Sequence, residues 1–345
     1  MNHNYLKNKI ILITGGTGSI GTSVVRALLK TNCKTIRVMT NDENGLYELS
    51  RDLNLSLLSL NNFYESMDEN KIRLFLGDVR DYKRCIEVTK NVDIVIHAAA
   101  LKHVSIMEYN AEEAKQTNVI GTKNILKASI RNRVSKFLHI STDKVVYPKS
   151  VMGQTKQFAE RHIQSINKKK RHKKTKISII RFGNVLGSRG SVIPNFIFLL
   201  KKNKKITVTD KRMSRFVMTL NESVKSILTA INIMKGEEVF IMKSMKCFKI
   251  YDLAIALTNY FSKNKKIKNK IKISNKFHGE KFEEELYSIN EIPYLKTERN
   301  LFVIYKNKIN QTRKQKKTYK KFRVSNFNFL KEDKIIFLLK KAKII

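Results

Sequence analysis

Cysteine is scarce in this chain of 345 residues, and long apolar runs are missing. The three cysteines, Cys33, Cys85 and Cys247, lie far apart and show no metal-ligand spacing. This spacing argues against a disulfide framework, and we expect no metal site. No apolar run reaches the roughly 18 residues that a membrane-spanning helix needs, and the N-terminus shows no charged-then-apolar leader. We therefore expect a cytoplasmic protein with no membrane span.

Acidic residues are few beside basic ones, with 29 Asp and Glu against 69 Lys and Arg, for a formal net charge of +40. Such an excess attracts polyanions, including nucleic acid and diphosphates. The excess is mostly lysine, spread along the chain with abundant Asn and Ile, which AT-rich codons encode. Specific nucleic-acid contacts favour arginine with aromatics, and Tyr305–Phe322 is the best candidate segment for them. We interpret the charge as a solvated surface and expect no specific nucleic-acid partner.

Short apolar strands alternate with helices through the first half of the chain. The predicted strands are Lys9–Thr14, Thr35–Met39, Ile72–Leu76, Asp93–Ala98, Lys136–Ile140 and Ile177–Arg181. The predicted helices are Ile20–Leu29, one around Leu46–Leu53, Glu112–Ile130 and one after Met152. Nearly continuous apolar strands that alternate with helices predict an α/β fold, in which helices cover both faces of a parallel sheet.

The chain divides into two predicted regions. Residues 1–184 are expected to form a doubly wound, Rossmann-type domain that binds NAD or NADP, with a returning segment near 215–243. Beyond Gly183 the elements become shorter, and lysine-rich connections appear at Lys201–Lys205, Lys263–Lys272 and Lys314–Lys321. Residues 185–345 are therefore predicted to form a smaller, mixed substrate-binding region.

A glycine-rich turn joins the first predicted strand to the first predicted helix. Gly15, Gly18 and Gly21 have a GxxGxxG spacing, and Thr17, Ser19 and Ile20 lie between them. The first glycine permits the tight turn, the second lets a pyrophosphate approach, and the third lets the helix pack on the sheet. The helix N-terminus then offers free N–H groups to phosphates. The turn predicts a dinucleotide site at these residues.

The residues that would select between NAD and NADP are less informative. About twenty residues beyond the turn, where an acidic residue would bind the adenosine ribose, the chain reads Thr40-Asn41-Asp42-Glu43. Thr40 is neither a clear acidic selector for NAD nor a basic one for NADP, and Asp42 could instead cap a helix. The choice of cofactor stays open at this point.

Several further motifs resemble the extended short-chain dehydrogenase/reductases, and more narrowly the UDP-N-acetylglucosamine 4,6-dehydratases of polysaccharide biosynthesis. The motifs occur in order along nearly the whole chain. They are Gly77–Asp81 (GDVRD), His97–Val104 (HAAALKHV), Thr117–Thr122 (TNVIGT), Ser141–Lys144 (STDK), Met152–Lys156 (MGQTK), Arg181–Pro194 (RFGNVLGSRGSVIP), Thr207–Asp210 (TVTD), Met213–Phe216 (MSRF) and His278–Lys281 (HGEK).

This resemblance implies roles for individual residues. Asp78 and Val79 would lie against the adenine, and Lys156 would bond the nicotinamide ribose. The other implied cofactor contacts are Ala98, Ala99, Ala100, Lys102 and Asn118. The UDP portion of a UDP-N-acetylhexosamine substrate would be contacted by Lys102, Asn184, Val192, Arg215 and Glu280. The family's habit of assembly implies a homo-oligomer.

The resemblance also implies the chemistry. In a 4,6-dehydration the tightly bound cofactor takes a hydride from sugar carbon 4 and later returns it to carbon 6, so the cofactor is recycled. Lys144 would be the base at carbon 5, Asp143 would protonate the leaving hydroxyl, and Thr142 would bond the oxygen on carbon 4. For Lys144 to act as a base, its pKa must be lowered by burial or by nearby Lys156.

Two departures from the pattern bear on these roles. Met152 replaces the tyrosine of the superfamily's YxxxK pair, which argues against a simple reductase and supports the narrower resemblance. Glycine and proline are missing near Lys201–Lys205 and Met242–Phe248, which affects loop geometry. The alternatives are a UDP-sugar 4-epimerase, a nucleic-acid-binding scaffold and an inactive regulatory homologue. His97 and His103 are interpreted as structural or groove-lining residues.

Overall fold

The computed structural model describes residues 3–53, 71–168, 174–243, 245–261, 271–276, 279–320 and 327–345. Parts of four predictions lie outside these ranges. They are most of the connection Lys263–Lys272, the last residue of the connection Lys314–Lys321, the end of the segment Tyr305–Phe322 and His278 of the HGEK motif.

A parallel sheet built from the six predicted strands forms the centre of the molecule. The strands are β1 (Ile10–Thr14), β2 (Thr35–Thr40), β3 (Ile72–Leu76), β4 (Ile94–His97), β5 (Lys136–Thr142) and β6 (Lys176–Phe182). They pair in the order β3-β2-β1-β4-β5-β6, which is the doubly wound Rossmann arrangement. The predicted fold class is therefore confirmed.

Three more strands extend this sheet beyond β6. From the returning segment, β10 (Val239–Met242) pairs in parallel with β6. The hairpin of β13 (Leu295–Glu298) and β14 (Leu301–Ile304) then adds two antiparallel strands. All four residues of β14 are buried, as a strand inside a sheet requires. The hairpin lies within residues 185–345, so this part of the predicted substrate-binding region belongs to the central sheet.

Helices cover the sheet and connect its strands. In the first two-thirds of the chain they are α1 (Ser19–Leu29), α2 (Glu43–Asp52), α3 (Tyr82–Thr89), α4 (Val104–Tyr109), α5 (Ala111–Lys115), α6 (Thr122–Arg131), α7 (Val151–Lys168), α8 (Val192–Lys201) and α9 (Leu220–Ile233). Three more follow, α10 (Ile250–Phe261), α11 (Arg313–Lys320) and α12 (Glu332–Lys341). Helix α1 packs against α9, and α3 packs against α6.

The helix predicted over Glu112–Ile130 is interrupted, so that prediction was wrong in detail. A π-helical turn at Gln116–Gly121 separates α5 from α6. Within this turn the side chain of Asn118 bonds both the N–H and the carbonyl of Leu101. A Cβ on Gly121 would lie 2.5 Å from Val79, so the turn also packs closely against the residue that follows Asp78. Such turns inside helices frequently occur at functional sites.

A second hydrophobic core lies beside the sheet. Helices α8, α10 and α12 bury Phe196, Leu257 and Leu338 in it. Two small sheets accompany these helices. One has the order β11-β9-β7, with β7 (Asn184–Val185), β9 (Ser214–Met218) and β11 (Lys246–Lys249), and the other pairs β8 (Ile206–Val208) with β12 (Ile271–Ile273). This unit forms one wall of the cleft described next.

Candidate functional site

A pocket of about 210 Å³ opens where β1, β2 and β4 end. Loops at the carboxyl ends of parallel strands are the usual ligand sites of this fold. Eight residues predicted to bind the cofactor line the pocket, namely Gly15, Thr17, Gly18, Asp78, Val79, Ala98, Ala99 and Ala100. The remaining predicted cofactor residues, which do not line it, are Ser19, Ile20, Gly21, Lys102, Asn118 and Lys156.

The glycine-rich turn has the shape that a pyrophosphate requires. Gly15 has a φ of +66°, and a Cβ there would lie 2.7 Å from the backbone of Ala99. A Cβ on Gly21 would lie 2.3 Å from the carbonyl oxygen of Gly15, which explains the close packing of α1. A Cβ on Gly18 would meet only that same oxygen, at 3.3 Å, so its other side is open. No side chain caps α1, so its first N–H groups face this open space.

The end of the pocket beside β2 and β3 is bordered by carboxylates. Asp42 accepts a hydrogen bond from Gly45 N at 2.9 Å and caps α2, which confirms its alternative interpretation as a cap. Asp78 accepts hydrogen bonds from Asn41 and Arg80. Burial raises the pKa of Asp78, but the hydrogen bonds and charge of Arg80 outweigh it and lower that pKa. An ionised carboxylate therefore lies at the rim of the pocket.

Two predicted contact residues support the pocket walls. Asn118 is buried and bonds Leu101 as well as the Thr155 hydroxyl, at 3.1 Å, so it fixes the segment that follows β4. Lys102 donates to the carbonyl oxygen of Arg189 at 2.6 Å, which ties this segment to the loop before α8. Burial and the charge of Arg189 lower the pKa of Lys102.

A larger cleft of about 370 Å³ lies between the end of β5 and the second core. Lys144 lines it together with four of the five residues predicted to contact UDP, which are Asn184, Val192, Arg215 and Glu280. Lys102, the fifth, contacts Arg189 as described above. The structure therefore brings the predicted base and most of the predicted substrate residues into one cavity.

The Ser-Thr-Asp-Lys segment forms the end of β5 and a short 3-10 turn, Asp143–Val145. Asp143 is fully buried and its Oδ1 accepts from the Thr142 hydroxyl at 2.9 Å and from Lys144 Nζ at 3.0 Å. Its Oδ2 is buried and has no hydrogen-bond partner among the described residues. Lys144 is 19% exposed and also donates to Asn184 Oδ1 at 3.3 Å.

Sequence reasoning missed a second carboxylate at this site. Glu284 is buried, and its Oε1 lies 3.5 Å from Lys144 Nζ. Its Oε2 lies 3.3 Å from Lys281 Nζ, which also donates to the carbonyl oxygen of Val146. The available signal was the run Glu283–Glu285, three acids just after the HGEK motif in a chain that has few acids.

The pKa values at this site correct one prediction. Burial raises the pKa of Asp143, and the charge of Glu284 adds to it, against the opposing charge of Lys144. Burial lowers the pKa of Lys144, but the charges of Asp143 and Glu284 outweigh it and raise that pKa above its ordinary value. The expectation of a lowered pKa for Lys144 was therefore wrong, because two carboxylates surround the ammonium group.

Lys156 has the lowered pKa instead. It is buried on α7 and donates to the carbonyl oxygen of Ile140 at 2.7 Å, with His139 Nε2 at 3.1 Å. Burial lowers the pKa of Lys156 to about 8, against the opposing charge of Glu160. Four residues earlier, Met152 is buried in a small apolar cluster with Met107 and Ala114.

The two histidines near β4 differ in burial, since His97 is buried and His103 is exposed. His97 is fully buried, with Nδ1 2.7 Å from the Thr14 hydroxyl and Nε2 2.9 Å from the Thr122 hydroxyl. Burial lowers the pKa of His97 to about 3. The ring of His103 packs on Gly190, where a Cβ would lie 2.4 Å from Cε1. The structural interpretation of His97 is confirmed. Across the described ranges, no group of His, Cys, Asp and Glu could hold a metal ion.

The sheet and the glycine-rich pocket at its carboxyl edge define a doubly wound, Rossmann-type α/β protein with a second, larger cleft. A family model described as polysaccharide biosynthesis protein matches residues 11–334. The chain therefore belongs to the polysaccharide biosynthesis protein family. In the described part of the chain, no helix has the length and apolarity to cross a membrane.

Individual relatives cover most of the chain. A protein of Methanocaldococcus jannaschii, described as an uncharacterized membrane protein, is 43% identical over 98% of this chain and 97% of its own. A UDP-glucose 4-epimerase of Rickettsia bellii is 39% identical over 83% of this chain and 79% of its own. The X-ray structure of Pen from Bacillus thuringiensis is similar with 35% identity and a TM-score of 0.86, covering 98% of both chains.

Proposed function

We propose that the chain is a UDP-N-acetylglucosamine 4,6-dehydratase that uses tightly bound NAD or NADP and acts in polysaccharide or glycan biosynthesis. One observation carries the proposal. Lys144, which lines the cleft together with Asn184, Arg215 and Glu280, pairs at 3.0 Å with the fully buried Asp143. Membership of the polysaccharide biosynthesis family supports the substrate class.

A UDP-sugar would place its diphosphate and uridine among Asn184, Val192 and Arg215 and its sugar beside Lys144. Arg215 is a buried cation that donates to the carbonyl oxygens of Ser214 and Phe282, so its orientation is fixed before a ligand arrives. Such a held guanidinium suits a phosphate. Lys102, Thr17, Ser19 and the other cofactor residues named above would hold the dinucleotide next to this sugar.

When bound, the nicotinamide dinucleotide would accept a hydride from carbon 4 and return it to carbon 6. Lys144 must be neutral to remove the proton from carbon 5. Since Lys144 Nζ lies 3.0 Å from Asp143 Oδ1, one proton can pass between them and give an amine beside a carboxylic acid. The amine then takes the carbon 5 proton while Asp143 protonates the departing hydroxyl, and a proton must be returned to carbon 5 when the hydride is returned to carbon 6. Burial of Asp143 favours its protonated form and supports this exchange.

A UDP-sugar 4-epimerase is the second candidate, and the relative from Rickettsia bellii with that name favours it. An epimerase shares the fold, the cofactor and oxidation at carbon 4. It needs no base at carbon 5. The pairing of Lys144 with the buried Asp143, and the apolar surroundings of Met152, support the dehydratase over this candidate.

The purified chain would be incubated with UDP-N-acetylglucosamine, first alone and then with NADP or NAD, and followed by mass spectrometry and proton NMR. Loss of one water with a new methyl signal supports the dehydratase, and the carbon 5 configuration then reveals inversion or retention. An unchanged mass with galacto-configured signals moves the assignment to the epimerase. We further infer a cytoplasmic homo-oligomer, which sedimentation and cell fractionation would test.

A further inference from the structure

A buried polar cluster lies between β4, β5 and α7, and the proposed chemistry does not use all of it. His139 on β5 is fully buried, and its Nε2 lies 3.1 Å from Lys156 Nζ. Its ring lies 5.2 Å from the ring of His97 on β4, centroid to centroid. His139 has no role in the motifs described above, and it lies two residues before Ser141.

The hydrogen bonds fix the protonation of both rings. A lysine ammonium group can only donate, so His139 Nε2 must accept and its proton must sit on Nδ1. This Nδ1 is buried with no partner among the residues that the structure describes. The Thr122 hydroxyl donates to the carbonyl oxygen of Asn118, so it can only accept from His97 Nε2. Burial lowers the pKa of His97 to about 3 and holds the pKa of His139 well below its ordinary value, so both imidazoles are neutral.

The donors of Lys156 can then be counted. Of its three N–H groups, one goes to the carbonyl oxygen of Ile140 and one to His139 Nε2, which leaves one for a ligand. We propose that His139 is a positioning residue, which orients Lys156 and keeps it charged so that its third N–H reaches the nicotinamide ribose of a bound dinucleotide. This inference rests on the dinucleotide part of the proposed function.

The other ionisable groups around Lys156 form ion pairs of their own. Glu160, on the same helix, forms a buried ion pair with Arg181 of β6 at 2.7 Å. Arg181 also pairs with Glu291 at 2.9 Å, and the charge of Glu160 still favours the Lys156 cation. Asp143 and Lys144, on the turn that follows β5, pair with each other. His139 is thus the neutral side-chain acceptor of the Lys156 ammonium group, beside the carbonyl oxygen of Ile140.

The first test measures dinucleotide binding against pH, without any sugar nucleotide. For the natural chain, NAD or NADP affinity should fall as pH rises through about 8, where Lys156 loses its proton. In His139→Leu the cation lacks an acceptor, so we expect about tenfold weaker binding at neutral pH and a midpoint about one pH unit lower. In His139→Gln the amide oxygen can accept this hydrogen bond, so the midpoint should return most of the way to that of the natural chain.

Two controls separate positioning from folding. Leu138→Ala removes buried volume from the opposite face of the same strand, since successive side chains of a strand alternate between its two faces, and it should lower the melting temperature while leaving the midpoint in place. Nitrogen-15 histidine NMR of the natural chain, which needs no variant, should find His139 neutral and protonated at Nδ1. A proton at Nε2, or an unshifted midpoint in His139→Leu, would overturn the proposal. If UDP-N-acetylglucosamine is not dehydrated while these results hold, only the dehydratase assignment fails.

Discussion

The substitution Glu284→Gln tests the electrostatic logic of the site most directly. Glu284 faces Lys144 across 3.5 Å within a buried setting, and it was not predicted from the sequence. At an effective dielectric constant of about 20, two unit charges at this distance attract each other by about 5 kcal/mol. The charge of Glu284 raises the proton affinity of both Lys144 and Asp143. Glutamine keeps the size of the side chain and removes this charge.

Both groups should therefore lose protons at lower pH in the variant. If Asp143 and Lys144 act as one acid-base pair, the plot of kcat/KM against pH is a bell whose limbs belong to the pair. We expect both limbs to move to lower pH by about one unit or more, since one unit corresponds to about 1.4 kcal/mol and lies well within the lost attraction. The assay is product formation from UDP-N-acetylglucosamine between pH 5 and about 10, with the cofactor saturating.

A matched control comes from the far edge of the central sheet. Glu298→Gln removes a carboxylate that pairs with Lys296 at 3.2 Å on β13, away from the cleft, and should leave the bell in place. Limbs of Glu284→Gln that stay unmoved, or that move in opposite directions, would show that Glu284 does not set the charge of the pair.

Three further predictions follow from the same contacts. Lys144→Met should lower turnover by about 10²- to 10⁴-fold and stop deuterium uptake at carbon 5 in D₂O, while dinucleotide binding stays unchanged. Lys296→Met is the control, and deuterium uptake that persists in Lys144→Met would refute the role of Lys144. His97 is neutral in the folded chain with a pKa of about 3, so the free energy of unfolding should fall by about 1.4 kcal/mol per pH unit as pH drops from about 6.5 towards 3. Urea titrations at pH 7.5 and 5 should show this slope. In His97→Gln the part of the slope that comes from His97 should be missing. Gly15→Ala places a Cβ 2.7 Å from Ala99 and should weaken dinucleotide binding, which calorimetry would measure. Gly236→Ala is the control, because φ is +108° there but the nearest atom lies 3.5 Å from the added Cβ. Equal effects of the two substitutions would contradict the proposed dinucleotide site at the glycine-rich turn.

The fold was predictable because each strand of the parallel sheet has a recognisable local sequence pattern. The apolar runs that form β1 to β6 are each bounded by turns, and the glycine-rich turn identifies the first of them. The hairpin Leu295–Ile304 was harder, since its strands are four residues long and follow an irregular stretch. The π turn at Gln116–Gly121 could not be predicted either, because it depends on the bonds of Asn118 to Leu101, seventeen residues away.

The part of the candidate site whose residues are adjacent in the sequence was predictable. The part contributed by a residue far away in the sequence was missed. Asp143 and Lys144 are adjacent, so their pairing follows from the sequence. Glu284 reaches the same point from 140 residues further along the chain, through packing that no local pattern encodes. The sign of the pKa shift of Lys144 depends on that distant carboxylate as well as on Asp143. Burial alone would have lowered this pKa, which is the effect that sequence reasoning anticipated.

Met152 stands where many related enzymes have a tyrosine, and the absence of its hydroxyl limits the reactions that the site can support. A tyrosine at this position would supply a phenol to protonate or deprotonate a sugar oxygen, but Met152 is buried beside Met107 and Ala114 and lines neither pocket. Its apolar surroundings would leave a phenol without a hydrogen-bond partner, which is costly in a buried place. Under the proposed function, proton transfer falls to Lys144, which lines the cleft, and to the fully buried Asp143 behind it, whose Oδ1 lies 3.0 Å from Lys144 Nζ. An amine and a carboxyl group this close suit removing a carbon-bound proton while a hydroxyl leaves more than they suit a simple carbonyl reduction.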